Sequence, residues 1–313
     1  MIKPQVNSRP NLVIHVKGLR KSYGDNEVIA GIDLEVKNGE IFALLGPNGA
    51  GKTTTVEILE GYRNRNSGEI NVLGYNPYLN QRKFKERIGI VLQKTGVEPY
   101  LTVEETINLF SGYYLHPYNV EEIIQVTGLT EIRKVKVKKL SGGQQRRLDV
   151  AIGLAGDPEL LFLDEPTTGF DPVARRNAWE MIKNLQKIGK TIFLTTHYMD
   201  EAEYLADHIA LIVKGTIIAE GSPKQLIGLN SATLIRFRIN KFTEDLLKII
   251  PNITESSNGL ITIQTDTPEK ILFELTRWAI KKEIALDELS VSKPSLEDTY
   301  LRLVNQGELE LNK

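Results

Sequence analysis

A nine-residue segment near the start of the chain has the composition of a phosphate-binding loop. The segment follows the apolar run Ile41–Leu45 and matches the pattern G-x-x-x-x-G-K-[ST]. Its residues are Gly46, Pro47, Asn48, Gly49, Ala50, Gly51, Lys52, Thr53 and Thr54. Glycines let backbone N–H groups curl around phosphates, and the start of a following helix adds positive partial charge. The pattern predicts that Lys52 contacts the β- and γ-phosphates of a nucleotide and that Thr53 binds Mg²⁺.

A second apolar run, at residues 160–163, ends in the two carboxylates Asp164 and Glu165. Consecutive apolar residues are typical of a central strand that is covered on both faces. Packing alone gives no reason for two carboxylates at the end of such a strand. We therefore expect Asp164 to hold Mg²⁺ through its water shell and Glu165 to polarise the attacking water as a general base.

Two further apolar runs end on uncharged polar residues. Residues 192–194 lead to His197, a neutral donor that could contact the γ-phosphate. Residues 88–92 lead to Gln93, whose amide could bind Mg²⁺ or the attacking water. Because ligands bind beyond the carboxyl ends of parallel strands, all four strand ends are expected to contribute to one site.

A second anion site is predicted at Leu140, Ser141, Gly142, Gly143 and Gln144. Ser141 is a natural N-cap, and the two glycines leave the N–H groups of a helix start accessible. The phosphate loop already provides an anion site for the phosphates of one nucleotide. The economical interpretation is that this second site completes the γ-phosphate shell of a nucleotide held by another copy, although the sequence leaves a contact within one chain equally open.

The elements that must position these residues follow an α/β rhythm. From about residue 41 to residue 219, short apolar runs alternate with longer helical patterns, as in a parallel sheet with crossover helices. Residues 12–19 and 28–36 predict an antiparallel β flap that precedes this core. Residues 94–158 predict an inserted helical subdomain. The predicted fold class is α/β, with a P-loop NTPase core.

A Gly-Ser-Pro sequence at residues 221–223 predicts a domain boundary. The predicted nucleotide-binding domain covers residues 12–223. Extended and helical patterns alternate over residues 225–313, including a predicted helix at residues 242–250, and they favour a small C-terminal α+β accessory domain.

Composition excludes several classes of function. The chain has 313 residues, of which 39 are Lys or Arg and 40 are Asp or Glu, so a net charge of -1 gives no bulk attraction to nucleic acid or anionic lipid. With no cysteine, disulfides, thiolate metal sites and cysteine nucleophiles are excluded. Apolar runs fall far short of the roughly 18 residues that a membrane span needs. We expect a cytoplasmic protein with no nucleic-acid partner.

Together, these motifs resemble the nucleotide-binding subunit of an ATP-binding cassette (ABC) transporter over about residues 12–223. The matching segments are Tyr23 for the aromatic that stacks on adenine, residues 46–54 for Walker A, Gln93 for the Q-loop, residues 140–144 for the signature, residues 160–165 for Walker B, Asp171 for the D-loop and His197 for the switch histidine. Phe170 departs from the family because the D-loop usually has leucine at this position.

The resemblance implies ATP and Mg²⁺ as cofactors and a homodimer of two such subunits that encloses two ATP molecules. It also implies an integral membrane permease on a separate chain, which would hold this protein peripherally at the cytoplasmic face of the membrane. Residues 295–301 are similar to the tail of the drug-exporter ATPases of bacteria, which favours export. The segment at residues 95–100 is the expected contact with the permease.

Two other classes of function remain as alternatives. A soluble ABC ATPase in translation would usually carry two cassettes, and one in DNA maintenance would carry long heptads, whereas this chain has one phosphate loop and no long heptad array. A regulatory module that only binds nucleotide is disfavoured by the presence of Glu165 and His197.

Other conspicuous residues are interpreted as structural. Trp179 and Trp278 fit amphipathic helix faces and are expected in the core. The acidic residues that follow His197 are expected to complement a helix N-terminus and to face solvent. They are Asp200, Glu201, Glu203 and Asp207.

Overall fold

The computed structural model of the protein describes residues 11–79, 81–91, 96–228, 232–239, 253–255 and 260–311. Contacts divide the chain into two compact units, Met1–Pro223 and Lys224–Lys313. The predicted site residue Gln93 and the predicted helix at residues 242–250 lie outside the described residues.

The first unit contains the predicted antiparallel flap. Strands β1 (Leu12–Tyr23), β2 (Asn26–Lys37) and β4 (Ser67–Val72) form a three-stranded antiparallel sheet in the order β2-β1-β4. The turn between β1 and β2 has Gly24 at a φ of 58°, a left-handed conformation that glycine adopts without strain. Alternate side chains of β2 are buried, as expected for a sheet with one face on the core.

A six-stranded sheet forms the centre of the first unit. Its strands are β3 (Ile41–Leu45), β5 (Ile88–Val91), β6 (Leu160–Asp164), β7 (Thr191–Thr196), β8 (His208–Val213) and β9 (Thr216–Gly221). The order is β5-β6-β7-β3-β8-β9, and every pair is parallel except β8 with β9. All residues of β3 and β7 are buried, which explains why they read as continuous apolar runs. The expected α/β fold class is confirmed.

Helices connect these strands. They are α1 (Lys52–Leu59), α2 (Arg82–Lys85), α3 (Val103–Ser111), α4 (Val120–Val126), α5 (Gly142–Leu154), α6 (Pro172–Lys187) and α7 (Met199–Leu205). Helices α3, α4 and α5 lie in the chain between β5 and β6, where the helical insertion was predicted. Helix α3 begins with a capping box, because Thr102 N–H donates to Glu105 Oε2 at 2.8 Å and Glu105 N–H donates to Thr102 Oγ1 at 3.2 Å. No helix of the described residues is long and apolar enough to cross a bilayer.

The second unit is a small α+β domain. Helix α8 (Pro223–Gly228) begins at the division, and the later elements are β10 (Thr233–Arg238), β11 (Ile253–Glu255), β12 (Leu260–Thr265), α9 (Pro268–Lys282), β13 (Asp287–Ser292) and α10 (Leu296–Leu311). The strands form an antiparallel sheet in the order β11-β12-β10-β13. Phe237 and Ile263 of the sheet are buried with Leu275 and Trp278 of α9, which confirms the core position expected for Trp278.

Candidate active site

The predicted site residues of the central sheet gather at one edge because their strands end together. Leu45 pairs with Thr196, and Asp164 pairs with Thr195, so β3, β6 and β7 end in the same register. Beyond these ends, Gly46 N–H donates to Thr196 O at 3.2 Å. The phosphate loop, the two carboxylates and His197 are therefore found at or just beyond the ends of three adjacent strands.

The phosphate loop needs glycine at two positions for steric reasons. A Cβ on Gly46 would lie 2.2 Å from the carbonyl oxygen of Ile212, and one on Gly51 would lie 2.8 Å from that of Val28. Gly51 also has a φ of 104°. It is the N-cap of α1 and offers no side-chain acceptor, so no cap side chain takes up the N–H groups at the start of that helix. Thr53, the predicted Mg²⁺ ligand, is exposed in the first turn.

Lys52 places a buried positive charge inside the loop. Its side chain is only 5% exposed, and Nζ donates to the carbonyl oxygens of Gly46 at 2.9 Å and Pro47 at 3.1 Å. Nζ also lies 3.7 Å from Glu165 Oε1. Burial lowers the pKa of Lys52, whereas the negative charges of Glu165 and Asp164 act to raise it. The ammonium is therefore held within reach of both the loop and the predicted base.

Glu165 is oriented by contacts at both of its carboxylate oxygens. Oε1 lies 3.2 Å from Nδ1 of His197, and Oε2 accepts a hydrogen bond from Thr168 Oγ1 at 3.1 Å. The backbone of Glu165 has a φ of 45°, in the left-handed region, and its N–H donates to Thr195 O at 3.1 Å. A carboxylate fixed beside an imidazole in this way can accept a proton from a water molecule.

The charge of Asp164, at the end of β6, acts on a buried carboxyl, Glu60. Asp164 Oδ1 accepts a hydrogen bond from Thr195 Oγ1. Glu60 directly follows α1 and is 6% exposed. The pKa of Glu60 is raised to about 8, chiefly by burial and in smaller part by the charges of Asp164 and Glu57. Sequence reasoning missed Glu60, although an acidic residue next to the apolar end of α1 is an available signal.

The predicted second anion site lies at the start of α5. Ser141 is its N-cap, with Ser141 N–H donating to Gln144 Oε1 at 2.9 Å and Gln144 N–H donating to Ser141 Oγ at 3.4 Å. Ser141 and Gly142 are exposed, and a Cβ on Gly142 would meet nothing within 4 Å. Residues 46–54 and 141–144 are all described, and no hydrogen bond or ion pair joins these two segments.

Two residues that the family resemblance added lie on the surface. Tyr23, at the end of β1, is 41% exposed, with Lys21 Nζ 5.1 Å and Arg63 Cζ 5.2 Å from the centre of its ring. Asp171 is the N-cap of α6 and accepts hydrogen bonds from the N–H groups of Val173 and Ala174, each at 2.9 Å.

The expectation that Glu201 faces solvent is wrong. Its side chain is fully buried, and Oε1 accepts hydrogen bonds from Thr167 Oγ1 at 2.6 Å and Trp179 Nε1 at 3.1 Å. Burial raises the pKa of Glu201, and the hydrogen bonds oppose that change. The expectation considered only helix α7, whose N-terminus an acidic residue can complement. Thr167 and Trp179, which hydrogen-bond Glu201, belong to other parts of the chain. Asp200 is exposed, as expected.

Comparisons with known proteins agree with this geometry. A family model described as ABC transporter matches residues 29–168. The linearmycin resistance ATP-binding protein LnrL of Bacillus subtilis (strain 168) is 34% identical over 307 residues, which cover 94% of this chain and 99% of that protein. The Nod factor export ATP-binding protein I of Rhizobium sp. (strain N33) is 36% identical over 303 residues, which cover 94% of this chain and 98% of that protein.

Two solved structures share the fold over about two thirds of the chain. The structure of cbiO1 from Clostridium perfringens, part of the transporter complex cbiONQ, has a TM-score of 0.63 and 27% identity over 70% of this chain and 91% of its own. A cassette solved as a dimer in a post-hydrolysis state with ADP and Pi has a TM-score of 0.59 and 25% identity over 67% of this chain and 98% of its own.

Proposed function

The chain belongs to the ATP-binding proteins of ABC transporters, and from that membership we propose that it hydrolyses Mg-ATP to drive export through a separate membrane permease. The single observation that carries the chemistry is the convergence of Lys52, Glu165 and His197 at the ends of adjacent parallel strands. Two such subunits enclose two ATP molecules, and the assembly lies at the cytoplasmic face of the membrane.

The side chains near the strand ends have different roles in hydrolysis. Lys52 and the loop N–H groups bind the β- and γ-phosphates, because they supply positive charge inside a curve of backbone donors. Glu165 accepts a proton from the attacking water, and His197 donates a hydrogen bond to the γ-phosphate. The contacts of Glu165 with Thr168 and His197 hold the carboxylate in place before the reaction begins.

The donor set beside the loop suits Mg²⁺. Thr53 offers an exposed hydroxyl and Asp164 a half-buried carboxylate, and both are oxygen ligands of the kind that Mg²⁺ prefers. Gln93 is the third proposed ligand and lies outside the described residues. A bound Mg²⁺ would neutralise charge that develops on the phosphate oxygens.

The open helix start at Ser141 supports a shared site between two subunits. Ser141 and Gly142 are exposed at a helix N-terminus, the nucleotide of the same chain already has the phosphate loop, and one related cassette was solved as a dimer with ADP and Pi. The relatives named for Nod factor export and linearmycin resistance support export as the direction of transport.

Exposed apolar side chains in the helical insertion support contact with a permease near residues 95–100. Tyr100 is 63% exposed, and Leu109, Tyr113 and Leu115, which also belong to the insertion, are 50%, 73% and 71% exposed. Exposed apolar patches commonly mark sites of protein association. Thr95 itself lies outside the described residues.

The Glu165→Gln variant tests the proposed chemistry. Glutamine keeps the shape of the side chain but cannot act as the base, so ATP binding should persist while hydrolysis falls by about 100-fold or more. The variant should then accumulate as a dimer in Mg-ATP but not in Mg-ADP, as measured by size-exclusion chromatography with light scattering. Glu203→Gln, which changes an exposed carboxylate on α7, is the matched control.

Two outcomes would contradict the proposal. Hydrolysis by Glu165→Gln near the wild-type rate would remove Glu165 as the base, and a strictly monomeric variant at high micromolar concentration in Mg-ATP would count against the shared site. Purification from membranes separates a transport ATPase from a soluble one: an integral membrane subunit should accompany the wild-type protein and be lost from Tyr100→Glu, which should retain ATP hydrolysis. Recovery without any integral subunit would favour the soluble alternative.

A further inference from the structure

Arg146 connects helix α5 to the backbone on both sides of Glu165. It lies in the second turn of α5 and is 7% exposed. Its Nη2 donates to Asp164 O at 3.0 Å, and its Nε donates to Pro166 O at 3.2 Å. One guanidinium therefore fixes two peptide groups, the one before Glu165 and the one after Pro166.

The backbone between these two anchors is in a conformation that needs support. Glu165 has a φ of 45°, in the left-handed region, where a non-glycine residue is strained. Its N–H is held by Thr195 O at 3.1 Å, on the strand side. The planar guanidinium supplies two further restraints on this backbone, and its donors have a fixed geometry that a flexible ammonium lacks.

Burying the charge of Arg146 costs free energy, so packing alone does not explain why this side chain is buried. Burial lowers its pKa, and the negative charges of Asp149, Asp164 and Glu201 oppose that change. A neutral side chain could fill the same volume without desolvating a charge. Arg146 also lies on a regular helix of 13 residues, α5, which holds its donor groups in position better than a loop would.

We propose that Arg146 is a positioning residue that holds Glu165 in the orientation required to activate water. This inference rests on the proposed function, because it takes Glu165 as the base. Arg146 has no contact with nucleotide in this scheme. It acts through the carbonyl groups of Asp164 and Pro166, on either side of Glu165.

Arg147 provides a matched control on the same helix. It is half-buried, and its Nη1 donates to Gly128 O at 3.3 Å within the helical insertion. Arg147→Lys therefore makes the same chemical change one residue away from the anchors. Its hydrolysis rate should stay close to that of the wild type.

The experiment compares Arg146→Lys, Arg146→Gln and Arg147→Lys in the full chain. A single ammonium cannot reproduce both fixed hydrogen bonds, so Arg146→Lys should lower kcat by about 10- to 100-fold, the scale of a misplaced reacting group. Arg146→Gln should lower kcat more than Arg146→Lys does, so the lysine variant should retain part of the activity that the glutamine variant loses. The affinity for ATP, measured by titration calorimetry under non-hydrolysing conditions, should change less than about twofold because the phosphate loop is untouched.

A double-mutant cycle separates positioning from a general structural role. When Glu165→Gln has removed the base, Arg146→Lys should cause little further loss of residual hydrolysis, because its partner in the reaction is already gone. The proposal would be overturned if Arg146→Lys lowered the hydrolysis rate by the same factor in the wild-type and in the Glu165→Gln background. Wild-type turnover in Arg146→Lys would overturn it as well. An equal fall of ATP affinity and turnover would also overturn it.

The same measurements show which proposal has failed. If Glu165→Gln hydrolyses ATP at the wild-type rate, the proposed function is wrong. If Glu165→Gln is inactive but Arg146→Lys matches Arg147→Lys, only the positioning role is wrong. Arg146→Lys is the smaller change, so it decides the outcome even if Arg146→Gln does not fold.

Discussion

The buried carboxyl of Glu60 should make the first unit less stable as the pH rises from about 5 to about 8. Glu60 is 6% exposed beside the end of α1. Burial is the largest cause of its raised pKa of about 8, and the charges of Asp164 and Glu57 add to it. Replacing Glu60 by glutamine keeps a neutral side chain of the same shape at every pH.

The sign follows from proton binding in the two states. Below the ordinary pKa of 4.5, the folded and the unfolded chain both hold the proton, and the stability that the protonated carboxyl provides is fully present. Between 4.5 and about 8, only the folded chain holds it, so the free energy of unfolding falls by about 1.4 kcal/mol for each pH unit. The loss between pH 5 and pH 7.5 is on the order of 3 kcal/mol by the same relation.

The assay is urea unfolding at several pH values, without nucleotide and with EDTA. The two tryptophans divide between the units, so Trp278→Phe leaves Trp179 as a fluorescent probe of the first unit alone. In that background, Glu60→Gln should differ least from its parent near pH 5 and gain relative stability as the pH rises toward 8. Glu69→Gln, which changes an exposed carboxylate on β4, controls for the loss of one surface charge.

A difference between Glu60→Gln and its parent that stays constant from pH 5 to pH 8 would refute this reasoning. Such a result would mean that Glu60 is ionised in the folded protein at neutral pH. A difference of the opposite sign, with the variant losing relative stability at high pH, would mean that the carboxylate form is the stabilised one.

Other changes test the remaining parts of the site. Lys52→Ala should abolish hydrolysis, because a buried cation is lost from the phosphate loop; a phosphate-release assay near the wild-type rate would contradict this. Ser141→Arg should leave the affinity of the monomer for ATP intact while it suppresses hydrolysis, and a matched loss of affinity would favour a contact within one chain. Deletion of residues 225–313 should spare ATP binding. Glu201→Ala should cost about 2 kcal/mol in urea unfolding, because two buried donors lose their acceptor, whereas Glu203→Ala should cost far less.

The sequence predicts the fold class because its signals are local. Residues 160–163 read as a buried strand, since both faces of the central sheet are covered. The capping boxes at Thr102 and Ser141 use partners only three residues away, so both helix starts can be found without knowing the tertiary structure. The phosphate loop is equally local, because one strand, one turn and one helix start contain all of it.

The contacts of Glu201 and Arg146 could not be predicted in this way. Glu201 meets Thr167 and Trp179, which are 34 and 22 residues away in the sequence, and Arg146 reaches Pro166 across 20 residues. Packing of several elements decides whether such charges are buried. Local rules therefore placed Glu201 in solvent.

This difference separates the residues proposed to react from the residue proposed to position one of them. Glu165 directly follows β6, and Lys52 begins the helix that follows β3 and its loop. Ligands bind beyond the carboxyl ends of parallel strands, so the chemistry proposed for both residues can be inferred from their positions in the sequence. Arg146 instead donates hydrogen bonds to two peptide carbonyl groups, at 3.0 and 3.2 Å, and its proposed effect depends on both. A variant at a strand end should therefore remove a reacting group outright. A variant at Arg146 should keep every reacting group and lower the fraction of time that Glu165 spends in the productive orientation, which is why its effect should disappear once Glu165 is replaced.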